Sequence, residues 1–124
     1  MRNACLFLVV LLCGVVASPE AVGQTAPSQD GNDLLPRCQQ SVESFERPTW
    51  KDAHESFNGG FCLGLVKGVW YASANVCTGE GVTFSQLQRV VLKFLQDNPE
   101  KLNLADSYLV EMALSKAFPC PKKK

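Results

Sequence analysis

One histidine and six cysteines are the residues of this chain best suited to chemistry. His54 stands in Asp52-Ala53-His54-Glu55-Ser56, and a hydrolytic reading would make it the base for a cysteine nucleophile such as Cys62. That reaction needs a free thiolate, so the state of the cysteines decides it. Met1-Arg2-Asn3 gives a short positive start, and Ala4 to Val16 is an uncharged apolar run of 13 residues. The run is shorter than the roughly 20 residues of a bilayer span and has the form of a secretory signal. Residues 1–23 are read as that signal, with small residues permitting cleavage after Ala17 or after Gly23. A lipoprotein would need a small residue before Cys13, where Leu12 stands. Export removes Cys5 and Cys13 and leaves Cys38, Cys62, Cys77 and Cys120, an even set that reads as two disulfides in an oxidising compartment. No nucleophile then remains for His54, which is expected on a surface loop. No catalytic residue is assigned.

Other chemistries find less support. One histidine recruits no metal set, and without a C-x-x-C pair there is neither a zinc-ribbon nor a thioredoxin-like signature. Asp30-Gly31-Asn32-Asp33 opens like a calcium loop but lacks the spacing and the closing glutamate, so helix capping explains it better. The chain has no G-x-S-x-G, Walker loop or G-x-G-x-x-G, and Gly79-Glu80-Gly81 reads as a turn rather than an anion nest. No cofactor is implied. Residues 31–121 hold eight basic and ten acidic side chains, which leaves no basic face for nucleic acid. The tail Lys122-Lys123-Lys124 reads as solvated. Trp70 and Tyr71 are the candidate interface residues, since aromatics with a polar tip are enriched at contact surfaces; Trp50 shares that character.

The elements that position these residues are helical. With 46% hydrophobic and 19% charged residues the chain can build a core. After a leader over residues 24–30, a first helix starts near Asn32 or Asp33, carries Pro36 in its first turn and runs to about Val42. Residues 45–58 form a long connection with at most one helical turn. A second helix spans about Gly60 to Asn75; only Lys67 is charged between Gly59 and Ala72, so it is apolar on nearly every side and should lie centrally. Gly60, Gly64 and Gly68 line one of its faces, which predicts close backbone approach by a neighbouring helix. The apolar stretch is too short for a membrane span. Thr83-x-x-Gln86 is a capping box for a third helix, followed by Leu87, Val90, Val91, Phe94 and Leu95 at helical spacing and stopped by Asn98-Pro99. A fourth helix, about Leu104 to Ala117, places Ala105, Tyr108, Leu109, Met112 and Ala113 on one face. The predicted fold is all-α, a small disulfide-stapled four-helix bundle over residues 31–121. In such a bundle Cys62 and Cys77 sit roughly 20 Å apart across the second helix, beyond disulfide reach. Up-and-down topology places Cys77 near Cys120 and leaves Cys38 for Cys62.

A family likeness follows from the spacing. Gly31-Asn32-x-Leu34-Leu35-x-x-Cys38 is followed by Phe61-Cys62-Leu63-Gly64-x-Val66-x-Gly68-Val69, then by Cys77 and Gly81-Val82-Thr83-x-x-Gln86. Val90-Val91-x-x-Phe94-Leu95, Pro99-Glu100-x-Leu102 and Ala105-x-x-x-Leu109-Val110-x-x-Ala113-Leu114-x-x-Ala117-Phe118-Pro119-Cys120 complete it. The pattern resembles the Rap1a/Tai family of periplasmic immunity proteins across the whole domain. The resemblance implies a helical, disulfide-bonded homodimer that blocks a peptidoglycan-cleaving amidase effector of type VI secretion. Where the family carries a polar or acidic position near the end of the second helix, this chain has Trp70-Tyr71-Ala72. The expectation is a periplasmic, non-enzymatic toxin inhibitor without a membrane span in its mature form. The alternative is an envelope structural or interaction module of the same fold with no toxin partner.

Overall fold

The computed structural model describes residues 29–47 and 49–122. Residues 1–28, where the signal and most of the leader were read, and Lys123 and Lys124 lie outside it. Four α-helices and a short 3₁₀ turn account for the regular structure, with no strand among the described residues. Helix α1 covers Gly31–Ser44, α2 Ala53–Ala72, α3 Phe84–Asp97 and α4 Asp106–Ala117; the 3₁₀ turn is Pro99–Lys101. Helix α2 packs against the other three and most extensively against α1. One side of it stays exposed, so the central position expected from its apolar composition is met only in part.

Three of the four helices, α1 to α3, start where a side chain can satisfy free N–H groups, whereas α4 follows Ala105 and has no side-chain cap. Asp30 caps α1, accepting from the backbone N–H of Asn32 at 2.9 Å and of Asp33 at 3.3 Å. The cap therefore lies two or three residues before the predicted ones, and Pro36 falls in the second turn rather than the first. The larger correction is in α2, which begins at Ala53 and ends at Ala72 instead of running from Gly60 to Asn75. Asp52 accepts from the N–H of Glu55 at 2.8 Å, and Glu55 in turn accepts from the N–H of Lys51 at 2.6 Å and from Arg47 at 2.6 Å. Six of the fourteen residues read as connection, 53–58, are thus helical. Helix α3 has the capping box, Thr83 Oγ1 accepting from Gln86 N–H at 3.2 Å. Gly81, with φ of 83°, makes the turn before it.

The core is formed by Leu34 and Cys38 of α1, Cys62 and Val66 of α2, Leu87, Val91 and Leu95 of α3, and Leu109, Val110, Ala113 and Leu114 of α4. The face expected of α4 is rotated: Asp106 and Val110 are buried, whereas Ala105 and Tyr108 are exposed. Two staples close the bundle. Cys38 is bonded to Cys62 inside the core, at the middle of α2, and Cys77 to Cys120 beyond the C-terminal end of α2. Beside the second staple Cys77 N–H donates to the Phe118 carbonyl at 2.9 Å. No helix among the described residues is long and apolar enough to cross a membrane.

Candidate protein-binding surface

The predicted glycine contact is not made among the described residues. Gly60, Gly64 and Gly68 are exposed, and a Cβ built on any of them meets nothing within 4 Å. The inference failed because a helix that is apolar all round does not mark which of its sides turns inward. The buried side of α2 is the opposite one, carrying Glu55, Asn58, Gly59, Cys62 and Val66. The glycines that do meet close neighbours are Gly59, against the Trp50 indole, and Gly31, against Leu102 and Leu109.

What remains outside is an apolar strip along α2. Phe57 is 62% exposed and Tyr71 68%, one at each end, with the three glycines between them. Cations border both ends. The Arg37 guanidinium lies 4.4 Å from the Phe61 ring centre and 5.9 Å from that of Phe57. Lys67 Nζ lies 5.0 Å from the Phe84 ring centre and 5.9 Å from that of Tyr71. These contacts hold the long cations flat along the surface. Trp70 and Tyr71, singled out as interface candidates, have different environments. Trp70 is half-buried, donates its indole N–H to Thr78 Oγ1 at 3.2 Å and meets Phe84 edge-on at 5.4 Å. Tyr71 lies over it at 4.6 Å and faces solvent.

Phe57, Arg37 and Phe84 were not picked out from sequence. The available signal was the heptad-like spacing of Phe57, Gly64 and Tyr71, which puts residues seven apart on one side of a helix. Each exposed glycine costs its helix about 1 kcal/mol relative to alanine, and no close packing among the described residues offsets that cost.

The other candidate chemistries are dispersed. His54 occupies the first turn of α2 rather than a loop, with Nδ1 3.3 Å from Asn58 Nδ2. Cys62, the nucleophile a hydrolase would need, is wholly buried and bonded to Cys38. Among the described residues no three of His, Cys, Asp and Glu gather as a metal site. Asp30 of the calcium-like segment is occupied as a helix cap. Between α2 and α4 runs an open groove of about 350 Å³ bordered by Val69, Ser73, Tyr108 and Glu111. Glu111 there accepts from Ser73 at 2.9 Å and from Asn75 at 3.1 Å, bonds that tie the end of α2 to α4.

Comparison with known proteins gives one finding. A family model described as Rap1a immunity proteins matches residues 30–120, from the α1 cap to the last cysteine. No curated protein and no solved structure matches the chain.

Proposed function

The chain belongs to the Rap1a immunity protein family, and on that premise we propose that it neutralises a peptidoglycan-cleaving amidase effector in the periplasm by protein–protein contact. The observation that carries this reading is the extent of the family match, which takes in all four helices and both disulfides. Inhibition by occlusion needs a rigid surface and no reacting group. Two disulfides and a shared core supply rigidity, while the exposed side of α2 supplies apolar area with charged borders. The proposal includes export by residues 1–23, a folded unit over residues 31–121, and a homodimer in solution.

Deletion of the gene tests it, by co-culture of the mutant with its parent on a solid surface. A parent lacking its contact-dependent secretion apparatus serves as control. The expected result is lysis of the mutant by the secretion-competent parent alone, with survival restored by the domain exported to the periplasm. Equal competition while secretion is active would overturn the immunity role and leave an envelope interaction module.

A further inference from the structure

The two disulfides differ in what a foreign thiol can reach. Cys38 and Cys62 are wholly buried, whereas Cys77 is exposed and its partner Cys120 is half-buried. The turn after Cys77 leaves the approach open, because a Cβ on Gly79 or Gly81 would meet nothing within 4 Å. What this bond holds in place is the second observation. Thr78, the next residue, accepts the indole N–H of Trp70 at 3.2 Å. Trp70 in turn packs with Tyr71 at 4.6 Å and with Phe84 at 5.4 Å. We propose that Cys77–Cys120 is an exchange site for an external dithiol protein, and that opening it releases the cluster of Trp70, Tyr71 and Phe84. Tyr71 belongs to the contact surface of the functional reading above, and the redox control of that surface rests on that reading.

Disulfide exchange needs a thiolate that reaches a sulfur, so the exposed sulfur is the one attacked. The incoming thiolate bonds to Cys77 Sγ, the Cys77–Cys120 bond breaks, and Cys120 leaves as a thiolate that takes a proton from water. Its Sγ lies 3.6 Å from the Ala74 carbonyl, which accepts from the new thiol. The second thiolate of the dithiol then attacks its own neighbour in the mixed disulfide and displaces Cys77, which is protonated in turn. The chain gains two electrons and two protons, and the dithiol is oxidised to a disulfide. A dithiol fits this role because its second thiol already stands beside the mixed disulfide. With the bond open, Ser73 and Asn75 still donate to Glu111 at 2.9 and 3.1 Å, so the end of α2 keeps its place. Beyond them, Thr78 is tied to the C-terminal segment by the Cys77 N–H bond to the Phe118 carbonyl and the short pairing of Val76 with Pro119. Both lie at the surface, where backbone bonds without covalent closure open readily. Trp70 then loses its acceptor, and Tyr71 the ring it packs on.

The test mixes the oxidised protein with a thioredoxin-type dithiol protein whose second cysteine is replaced by serine, which traps the mixed disulfide. The trapped bond should map to Cys77. The intact dithiol protein should then reduce Cys77–Cys120 while Cys38–Cys62 stays closed. Trp70 reports the release in a Trp50→Phe background, where it is the only tryptophan. Its emission should move to longer wavelength as the outer bond opens. Thr78→Val, which keeps both disulfides, should give the same shift and guards against misreading a folding defect. Trapping on Cys120 or on the inner pair, no trapping, or an emission that stays fixed as the bond opens would each overturn the proposal. Protection in co-culture is scored separately, with Thr78→Val and with the double variant Cys77→Ser, Cys120→Ser. Loss of survival with both supports redox control of the contact surface, whereas survival equal to wild type overturns it. A wild type that fails to protect sinks the immunity reading and leaves the exchange site to stand on trapping and emission.

Discussion

Whether a methyl group helps or harms at a glycine depends on what already stands where it would go. At Gly60 there is open solvent, so alanine adds helix propensity and removes nothing. In dilute solution Gly60→Ala should raise unfolding stability by about 0.5–1 kcal/mol. At Gly31 the added Cβ would stand 2.5 Å from Leu109 Cδ1 and 2.9 Å from the Leu102 Cα. The second neighbour is backbone, which cannot rotate away, so Gly31→Ala should lower stability by about 1–3 kcal/mol. Urea denaturation of the two variants beside wild type reads both signs, and a shared sign would contradict this packing. A buried polar relay offers a second test. Gln88, wholly buried, donates its amide to Ser41 Oγ at 2.6 Å, and Ser41 donates to the Gly59 carbonyl at 3.1 Å. The relay joins α1, α2 and α3 through groups with no access to water. Ser41→Ala leaves the buried Gln88 amide without its acceptor, while the Gly59 carbonyl keeps its helical partner, and should cost about 1–3 kcal/mol, far above the usual effect of serine to alanine on a surface. Neither Ser41 nor Gln88 is distinguished in the sequence, because a polar residue among helical polar residues carries no mark of burial until three helices have been placed.

At the scale of elements, the start of α2 is an electrostatic clamp. Asp52 caps the helix, and Glu55 gathers the Lys51 N–H and the Arg47 guanidinium. The backbone hydrogen bond from Lys51, then the bond and charge of Arg47, hold the Glu55 carboxyl below the ordinary glutamate range. A folded-state pKa below the unfolded value of about 4.3 means that the clamp stabilises the fold fully above that value. The contribution is lost as pH falls through the lower, folded value. Glu55→Gln should flatten the acid limb of stability against pH, most visibly below pH 5, while Asp52→Ala should cost about 1 kcal/mol with little change in shape. An unchanged acid limb in Glu55→Gln would show that the clamp does not form in solution. The clamp also explains why α2 was read too short. Asp52-x-x-Glu55 is itself a helix-start signature, but Trp50 and the neighbouring charges made the stretch look like a loop. Helix α3 was legible because its capping box and its apolar spacing agree. The exposed strip is legible as a row of glycines but not as an outer face, since α2 offers apolar side chains in every direction and only its packing partners decide which are covered.

The whole molecule is held by two staples in opposite environments, and that difference is open to experiment. Closing loops with sequence separations of 24 and 43 removes unfolded-state entropy equivalent to about 3.5 and about 4 kcal/mol respectively, on the chain-entropy estimate. By that measure they are nearly equal. Access separates them. Cys38 and Cys62 are both fully buried beneath α1 and α2, whereas Cys77 is exposed beside a half-buried Cys120. Thiol exchange requires an attacking thiolate to reach a sulfur, so the folded protein should yield its bonds in sequence. Mild reductant under native conditions should open Cys77–Cys120 first, leaving a protein with an intact α1–α2 pair and a looser junction between the end of α2 and the end of α4. Cys38–Cys62 should open only when the bundle itself unfolds, so its rate of reduction should follow denaturant concentration while that of the outer bond does not. Timed alkylation with peptide mapping distinguishes the two. Simultaneous labelling of all four cysteines in the absence of denaturant would show that α1 and α2 separate readily, and that the rigidity invoked for inhibition does not come from the inner staple.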